Sequence, residues 1–366
     1  INCRVTSVAG PYSEPGSVDA GEPLASQIYA DPGVLAAIAS GQPYDNGTNV
    51  GIGNEPCWIR QVNDYSATWK NNSGLLRYEW DWQDDIMVYA SVSTGFKSGH
   101  IQDAGNEAAP EEVLNYELGL KSTLLGGRLR LNAAAYQASY SDLQFSNRDR
   151  FDVDGDGVAD ESGSTIVRNA AEATMIGLEL EAEWALTNAD HLQMTLTLMD
   201  AEFDDFQVPD TLFGNLFNPY ASELATTPAD PVELSGNSPI ITPDWKLTVV
   251  YEKDFVLEAG ILTPRIKATF SDDYFLDIYN RENIAAGVFP GIPDGAKNIS
   301  VQDAYESFDL SVRYVPFSGG WVMEAYVNNV ADQTIKTSSG TFLTERGMAA
   351  IYTPPRVGGL TVSYNF

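Results

Sequence analysis

The chain is constrained most by a strict alternation of apolar and polar residues that recurs in segment after segment. In residues 176–184 every second position is apolar, and the positions between them include Glu179, Glu181 and Glu183. A helix would scatter these glutamates around its circumference, whereas a strand places all three on one side. The same period of two occurs at 192–198, 308–314, 321–327 and 360–366. This pattern predicts an all-β fold.

The alternating segments and the connections between them follow a regular plan. Eleven strands are predicted, at about 64–82, 85–97, 112–125, 127–145, 164–185, 191–204, 243–255, 259–276, 303–315, 319–332 and 355–366. Short turns alternate with long loops, and the long loops cover about 98–111, 146–163, 205–242, 277–302 and 333–354. This layout is typical of transmembrane antiparallel β-barrels, which have tight periplasmic turns and long external loops.

The composition agrees with a barrel and excludes other classes. The 366 residues include 21 Lys plus Arg and 51 Asp plus Glu, and the net charge of −30 excludes a general nucleic-acid-binding protein. No apolar run reaches the roughly 18 residues of a transmembrane helix, although a barrel strand needs only about ten alternating residues. Tryptophans near predicted strand ends indicate an interfacial aromatic girdle, with the core of a soluble β-sandwich as the alternative. They are Trp80, Trp82, Trp184, Trp245 and Trp321.

The odd number of predicted strands points to half of a larger barrel. Single-chain bacterial barrels close with even numbers of strands, and twice eleven is 22, the size of the plugged outer-membrane transporters. Residues 64–366 are therefore expected to be the C-terminal half of such a barrel. If its last strand runs toward the periplasm, so does 64–82, and residues 1–63 form a long extracellular loop region.

Two cysteines, Cys3 and Cys57, lie in that extracellular loop region. Neither belongs to a CxxC motif or a metal-ligand cluster. We expect a disulfide between them, which would pin residues 1–63 and indicate an oxidising compartment. Two unrelated free thiols are the alternative.

An acidic segment in a predicted external loop follows a calcium-binding pattern. Positions 1, 3, 5, 6 and 9 of that pattern are filled by Asp152, Asp154, Asp156, Gly157 and Asp160. Position 12, where a bidentate glutamate is expected, is Gly163, and Glu161 is the substitute. The segment predicts a weak extracellular Ca²⁺ site, with an acidic glycine-rich turn as the alternative.

Charged residues on the polar side of the strands are predicted to face the barrel lumen. Such charges are costly in a dry core but are expected in a wet or plug-filled barrel. They would contact a plug or line a substrate path, and ordinary solvated lumen charge is the alternative. The set is Arg77, Lys121, Arg128, Arg130, Glu179, Glu181, Glu183, Lys246, Arg265, Lys267 and Arg313, beside Glu79, Glu117, Asp309 and Glu324.

Five motifs, in their order and spacing, resemble the TonB-dependent outer-membrane receptors. They are YASVSTGFKSG (89–99), PEEVLNYELGLK (110–121), GLELE (177–181), EAYVNNVAD (324–332) and PPRVGGLTVSYNF (354–366). The last motif, with Tyr364 and Phe366, is similar to the final strand of that family, and the match covers about residues 62–366. The resemblance implies a 22-stranded barrel in the bacterial outer membrane with a plug domain and a TonB box. Neither part has a counterpart here, so an upstream segment or a companion chain would supply the plug and the remaining strands.

The resemblance also implies a function, namely import of a scarce small-molecule solute energised by TonB. Ferric siderophore is the commonest substrate of the family, with cobalamin or an oligosaccharide as alternatives. A passive porin and a calcium-dependent surface adhesin are two other classes that fit a barrel. An enzyme and a catalytic cofactor are not expected, because no GxSxG, GxGxxG or P-loop motif occurs and His100 and His191 are predicted at opposite ends of the barrel.

Overall fold

The computed structural model describes residues 67–101, 107–150, 163–209, 231–283, 295–342 and 347–364. The chain divides into two compact units. The first comprises residues 1–68, 101–107 and 148–166, most of which lie outside the described residues. The second comprises residues 69–100, 108–147 and 167–366 and holds most of the sheet described below. Within the described ranges, no helix has the length and apolarity to cross a membrane.

One sheet contains eleven long strands, each hydrogen-bonded to the next one along the chain. In order they are β1 (Leu75–Gln83), β2 (Ile86–Lys97), β3 (Glu111–Leu124), β4 (Leu129–Arg150), β5 (Gly163–Ala185), β6 (Asp190–Pro209), β7 (Trp245–Lys253), β8 (Gly260–Ser271), β9 (Tyr305–Pro316), β10 (Trp321–Asn328) and β11 (Val357–Tyr364). The antiparallel all-β fold and the number and order of its long strands are confirmed for the described part of the chain.

The connections alternate in length as the sequence predicts. The short ones are 84–85, 125–128, 186–189, 254–259 and 317–320. In the turn after β3, Leu125, Gly126 and Gly127 have φ angles of 56°, 66° and 89°. Glycine adopts positive φ without steric cost, which is why this tight turn forms where the sequence has two glycines. All short connections lie at one end of the sheet, and all long connections lie at the other.

Short strands accompany the long ones. Pro231–Glu233 pairs with β6, and Phe255–Val256 pairs with β8. Separate two-stranded sheets form between His100–Ile101 and Glu107–Ala108, between Tyr274–Phe275 and Val301–Gln302, and between Lys336–Phe342 and Gly347–Tyr352. The last hairpin occupies the connection 333–354, where the sequence pattern predicts only a loop.

The first strand is shorter than the predicted 64–82, since β1 begins at Leu75. The residues just before it, Asn-Asn-Ser-Gly at 71–74, favour turns over strands. Asn71 Nδ2 donates to Glu112 Oε1 at 2.6 Å. Glu112 lies on β3, one strand beyond β2. At this point the chain before Leu75 is bonded to a side chain of β3 and is not a strand.

The strand register sorts side chains onto two chemically different faces, because residues paired across antiparallel strands share a face. One face, which we call the polar face, carries cross-strand pairs such as Glu181 with Thr195 and Lys267 with Asp309. The other, the apolar face, carries rows of large side chains. One such row is Leu180, Leu196, Leu247 and Phe270, on β5, β6, β7 and β8.

Much of the apolar face is exposed. Leu118, Ile176 and Leu198 have relative exposures of 63%, 53% and 41% on three different strands. A continuous exposed apolar surface of this kind is rare on soluble monomers and marks contact with an apolar environment. The outward band of a membrane barrel is such a surface.

A compact apolar core lies at the long-connection end of the sheet. Its buried members are Ala171, Ala173, Phe203, Phe206 and Leu234, and Tyr140, Leu143, Phe145, Ile278 and Tyr279 pack against it. The rings of Phe203 and Phe206 are 4.6 Å apart, and Leu234 N donates to Phe206 O at 2.8 Å. The core therefore ties the connection between β6 and β7 to the extended ends of β5 and β6.

Candidate functional site: the polar face of the sheet

The charged residues predicted to face the lumen share the polar face. Nearly all of them lie on strands, at Arg77, Lys121, Arg130, Glu179, Glu181, Glu183, Lys246, Arg265, Lys267 and Arg313. Arg128 lies in the turn before β4, where its carbonyl accepts from Ala185 N at 2.8 Å. Glu79, Glu117, Asp309 and Glu324 belong to the same face. Charged side chains from eight strands are thus collected on one side of one sheet.

Ion pairs link neighbouring strands across the polar face. Arg130 Nη1 lies 2.8 Å from Glu183 Oε2, and Lys267 Nζ lies 3.6 Å from Asp309 Oδ2. These side chains are partly exposed, so each pair contributes little to stability, about 0–1 kcal/mol. These pairs place positive and negative groups side by side on the polar face.

Tyr89 is the centre of the most tightly built part of this face. Its hydroxyl donates to Glu117 Oε1 at 2.6 Å. The Arg77 guanidinium carbon lies 3.7 Å from the centroid of the Tyr89 ring, and Arg77 Nε lies 2.8 Å from Glu79 Oε1. The cation–π contact and the ion pair together hold the guanidinium against the Tyr89 ring. Lys121 Nζ is 5.9 Å from the same ring.

Three tyrosines on the polar face lie against glycines of the next strand, a contact that the alternation pattern does not predict. The pairs are Tyr89 with Gly119, Tyr136 with Gly177, and Tyr326 with Gly359. A Cβ atom added to these glycines would lie 2.2, 2.4 and 2.6 Å from the ring Cζ. The available signal was a glycine in the interior of each strand, which often marks a close approach.

The tryptophans predicted to form a girdle all lie on the apolar face and are exposed. Trp80, Trp82, Trp184 and Trp321 are near the short connections, and Trp245 is at the opposite end of the sheet. The Trp321 ring makes an edge-to-face contact with Tyr364 of β11, with centroids 5.5 Å apart. This arrangement matches aromatic residues at the two boundaries of an apolar band.

Several predicted sites lie outside the described residues. They are the candidate calcium ligands Asp152, Asp154, Asp156 and Asp160, the cysteines Cys3 and Cys57, and Phe366. In the ranges that the structure describes, no group of three or more His, Cys, Asp or Glu side chains is arranged to hold a metal ion. His191 follows a short connection, whereas His100 lies in the long connection after β2.

Comparison with known proteins identifies the sheet. A family model described as the β-barrel of TonB-dependent receptor-like proteins matches residues 40–330. The ferric-pyoverdine 358 receptor of Pseudomonas putida is 31% identical over 154 residues, which are 41% of this chain and 17% of that protein.

Solved structures show the same fold. The ferric yersiniabactin uptake receptor of Yersinia pestis is 19% identical with a TM-score of 0.58, over 80% of this chain and 37% of that one. The siderophore receptor PiuA of Acinetobacter baumannii is 17% identical with a TM-score of 0.53, over 79% of this chain and 35% of that one. The chain thus spans about a third of the length of these solved receptors. Because the family model matches most of its residues, the chain belongs to the TonB-dependent receptor-like β-barrel family of the bacterial outer membrane.

Proposed function

We propose that the receptor containing this chain imports a scarce solute across the outer membrane, and that the solute is a ferric siderophore. The observation that carries the proposal is the match of residues 40–330 to the receptor barrel family. The substrate class is supported by the relatives, which are receptors for ferric pyoverdine, for ferric yersiniabactin and for a siderophore.

The two faces of the sheet support a division of labour in this function. The apolar face would contact membrane lipid, and the polar face would line the lumen, where a plug domain and the substrate path lie. Arg77 and Arg130 lie there beside Glu79 and Glu183, and Lys121 lies near the Tyr89 ring, so the wall would offer both charges to plug residues. The plug and the remaining strands would come from an upstream segment or a companion chain, and TonB would energise the plug.

Transport assays test the proposal. We expect deletion of the complete gene to abolish uptake of one radiolabelled ferric siderophore by iron-starved cells, and the intact gene to restore it. A strain without TonB should show the same loss. Uptake that persists without TonB would instead indicate a passive porin, and loss of cobalamin or oligosaccharide uptake with normal iron uptake would contradict the substrate class.

We also propose that the 152–160 segment binds Ca²⁺. Four carboxylates within nine residues repel one another, and a divalent ion relieves that repulsion. Calorimetric titration of the receptor should give Ca²⁺ binding heat that disappears in the Asp154→Asn, Asp156→Asn variant, while Mg²⁺ competes poorly. Identical heats from both proteins would leave an acidic turn. If adhesion of the cells to a surface depends on this Ca²⁺ site, that result would support the adhesin function instead.

A disulfide between Cys3 and Cys57 is the last part of the proposal. It would pin residues 1–63 on the extracellular side, where oxidising conditions preserve disulfides. The intact mass of receptor that has been alkylated without reduction should show no adduct at either cysteine, and prior reduction should add two. Two adducts on unreduced protein would show free thiols.

A further inference from the structure

Three long connections at the same end of the sheet are joined by hydrogen bonds through the middle one. They are the connections between β6 and β7, between β8 and β9, and between β10 and β11. The middle one, after β8, contacts both of the others. On one side, Ile241 N donates to Phe275 O at 2.9 Å, and Asn237 Nδ2 donates to Ile278 O at 2.8 Å.

Asn280 completes the bonding on that side. Its Oδ1 accepts from Ser238 N at 2.5 Å, and its Nδ2 donates to Ser238 O at 3.1 Å. Asn280 has a φ of 52°, in the left-handed region that asparagine tolerates better than most residues. One side chain thus satisfies both backbone groups of a residue in the neighbouring connection.

On the other side, the middle connection is bonded to the hairpin between β10 and β11. Lys336 N donates to Gln302 Oε1 at 2.7 Å, and the Tyr274 hydroxyl donates to Lys336 O at 3.0 Å. Ser339 Oγ donates to Ser300 Oγ at 2.8 Å. The Lys336 ammonium donates to the carbonyl of Val301.

Several polar partners in the middle connection are buried. Asn298, Ser300 and Gln302 are polar residues with relative exposures of only 1%, 3% and 3%. Burial raises the pKa of the Tyr274 phenol and lowers that of the Lys336 ammonium, although nearby Asp303 opposes the second shift. A buried hydrogen bond is expensive to break when water cannot replace the lost partner.

The backbone of Ile241 is strained, which indicates that the contacts between the connections hold it in place. Ile241 has a φ of 59°, which is an outlier for a β-branched side chain, and it is 50% exposed. Such strain persists only where the surroundings enforce it. The enforcing contacts are the Ile241 N bond to Phe275 and the Ser238 bonds to Asn280. Ile278 and Tyr279 also pack against the apolar core of β5 and β6.

We propose that the described parts of these three connections, residues 231–244, 272–283, 295–304, 329–342 and 347–356, form one preassembled block that keeps its arrangement whether or not a solute is bound. The inference rests on the proposed import function for its role, because the block would be the fixed side of the external entrance. Any closure over a solute would then come from other parts of the extracellular side. The bonding itself predicts a single cooperative unit that opens as a whole or not at all.

A cross-link tests the fixed side directly. In the complete receptor, Ser300→Cys and Ser339→Cys place two thiols where two hydroxyls now touch. Oxidation of this pair should leave siderophore binding and uptake within about twofold of the reduced form, since the connections do not separate. Each single variant is the matched control. A loss of about tenfold on oxidation that reductant reverses would overturn the proposal.

Hydrogen exchange tests the block independently of transport, so its result is informative even if the proposed import function is wrong. Asn280→Gly removes the side-chain bonds while glycine keeps the left-handed backbone. The amides of Ile241, Leu276 and Lys336 should all lose protection together, by about tenfold, and the Asn132→Ala control on β4 should leave them unchanged. Loss at Ile241 alone, with Lys336 unaffected, would show separate loops and refute the block.

Discussion

At the scale of single residues, glycine decides how closely the tyrosines of the polar face approach the sheet. Tyr89 lies between the backbone of Gly119 and the guanidinium of Arg77. Any side chain at position 119 would occupy the space of the ring. The tyrosine therefore covers the backbone of β3 at a position without a side chain and also packs against a charged group of the polar face.

A methyl group at Gly119 should disturb this packing. We expect Gly119→Ala to lower the free energy of unfolding by about 1–3 kcal/mol, because its Cβ would lie 2.2 Å from Tyr89 Cζ. Denaturant unfolding of the complete receptor in lipid vesicles measures the change.

The matched control is Gly340→Ala, whose added Cβ meets no atom within 4 Å. It should leave the free energy of unfolding nearly unchanged. In a Tyr89→Ala background, Gly119→Ala should also cost much less, since the obstructing ring is gone. Equal costs with and without Tyr89 would contradict the account of this tyrosine–glycine pair.

At the scale of a strand, β5 shows how alternation separates two environments. Leu180 pairs with Leu196 on the apolar face, and the adjacent Glu181 pairs with Thr195 on the polar face. The two residues are adjacent on β5, and both pair with residues of β6. They therefore form a matched pair for testing which face meets lipid.

An arginine on the apolar face should be costly. Leu180→Arg should destabilise the receptor in lipid by about 2–4 kcal/mol, because it places a charge in the hydrocarbon band. Glu181→Arg should cost far less, since it leaves the charge on the wet side. Reversible unfolding from lipid vesicles gives both values, and similar costs at the two positions would count against the assignment of the faces.

The limits of sequence-based prediction are clearest for elements outside the regular strands. Alternation predicts the eleven strands because the side-chain period of a strand is local. The start of β1 at Leu75 and the hairpin Lys336–Phe342 with Gly347–Tyr352 occur beside bonds to distant residues. Asn71 bonds to Glu112, and Lys336 bonds to Gln302. A local sequence pattern cannot predict bonds between residues so far apart in the chain.

At the scale of the whole molecule, the two outermost strands of the described sheet are β1 and β11. Because eleven antiparallel strands follow one another, these two run in the same direction and cannot close an antiparallel barrel together. Open strand edges are not tolerated in hydrocarbon, where each unpaired backbone group costs several kcal/mol.

Membership of the receptor family also confirms the expectation that the chain is not an enzyme.

Closure should therefore need strands from outside this chain. We expect the chain alone to fail to form a closed barrel in detergent or lipid, and the complete receptor to show β11 paired antiparallel with a strand beyond this sequence. Disulfide cross-linking between cysteines on β11 and on that strand, in the folded receptor, checks the pairing. A closed eleven-stranded barrel formed by this chain alone would refute the expectation.

The sequence by itself determined the class of fold, the number of strands and the set of charges on the polar face. It could do so because strand parity is a property of consecutive residues. Only the tertiary structure decided that Tyr89 lies over Gly119 and that Asn280 bonds to Ser238. These contacts join residues far apart in the chain, and their geometry depends on the register of neighbouring strands and on buried hydrogen bonds between separate connections.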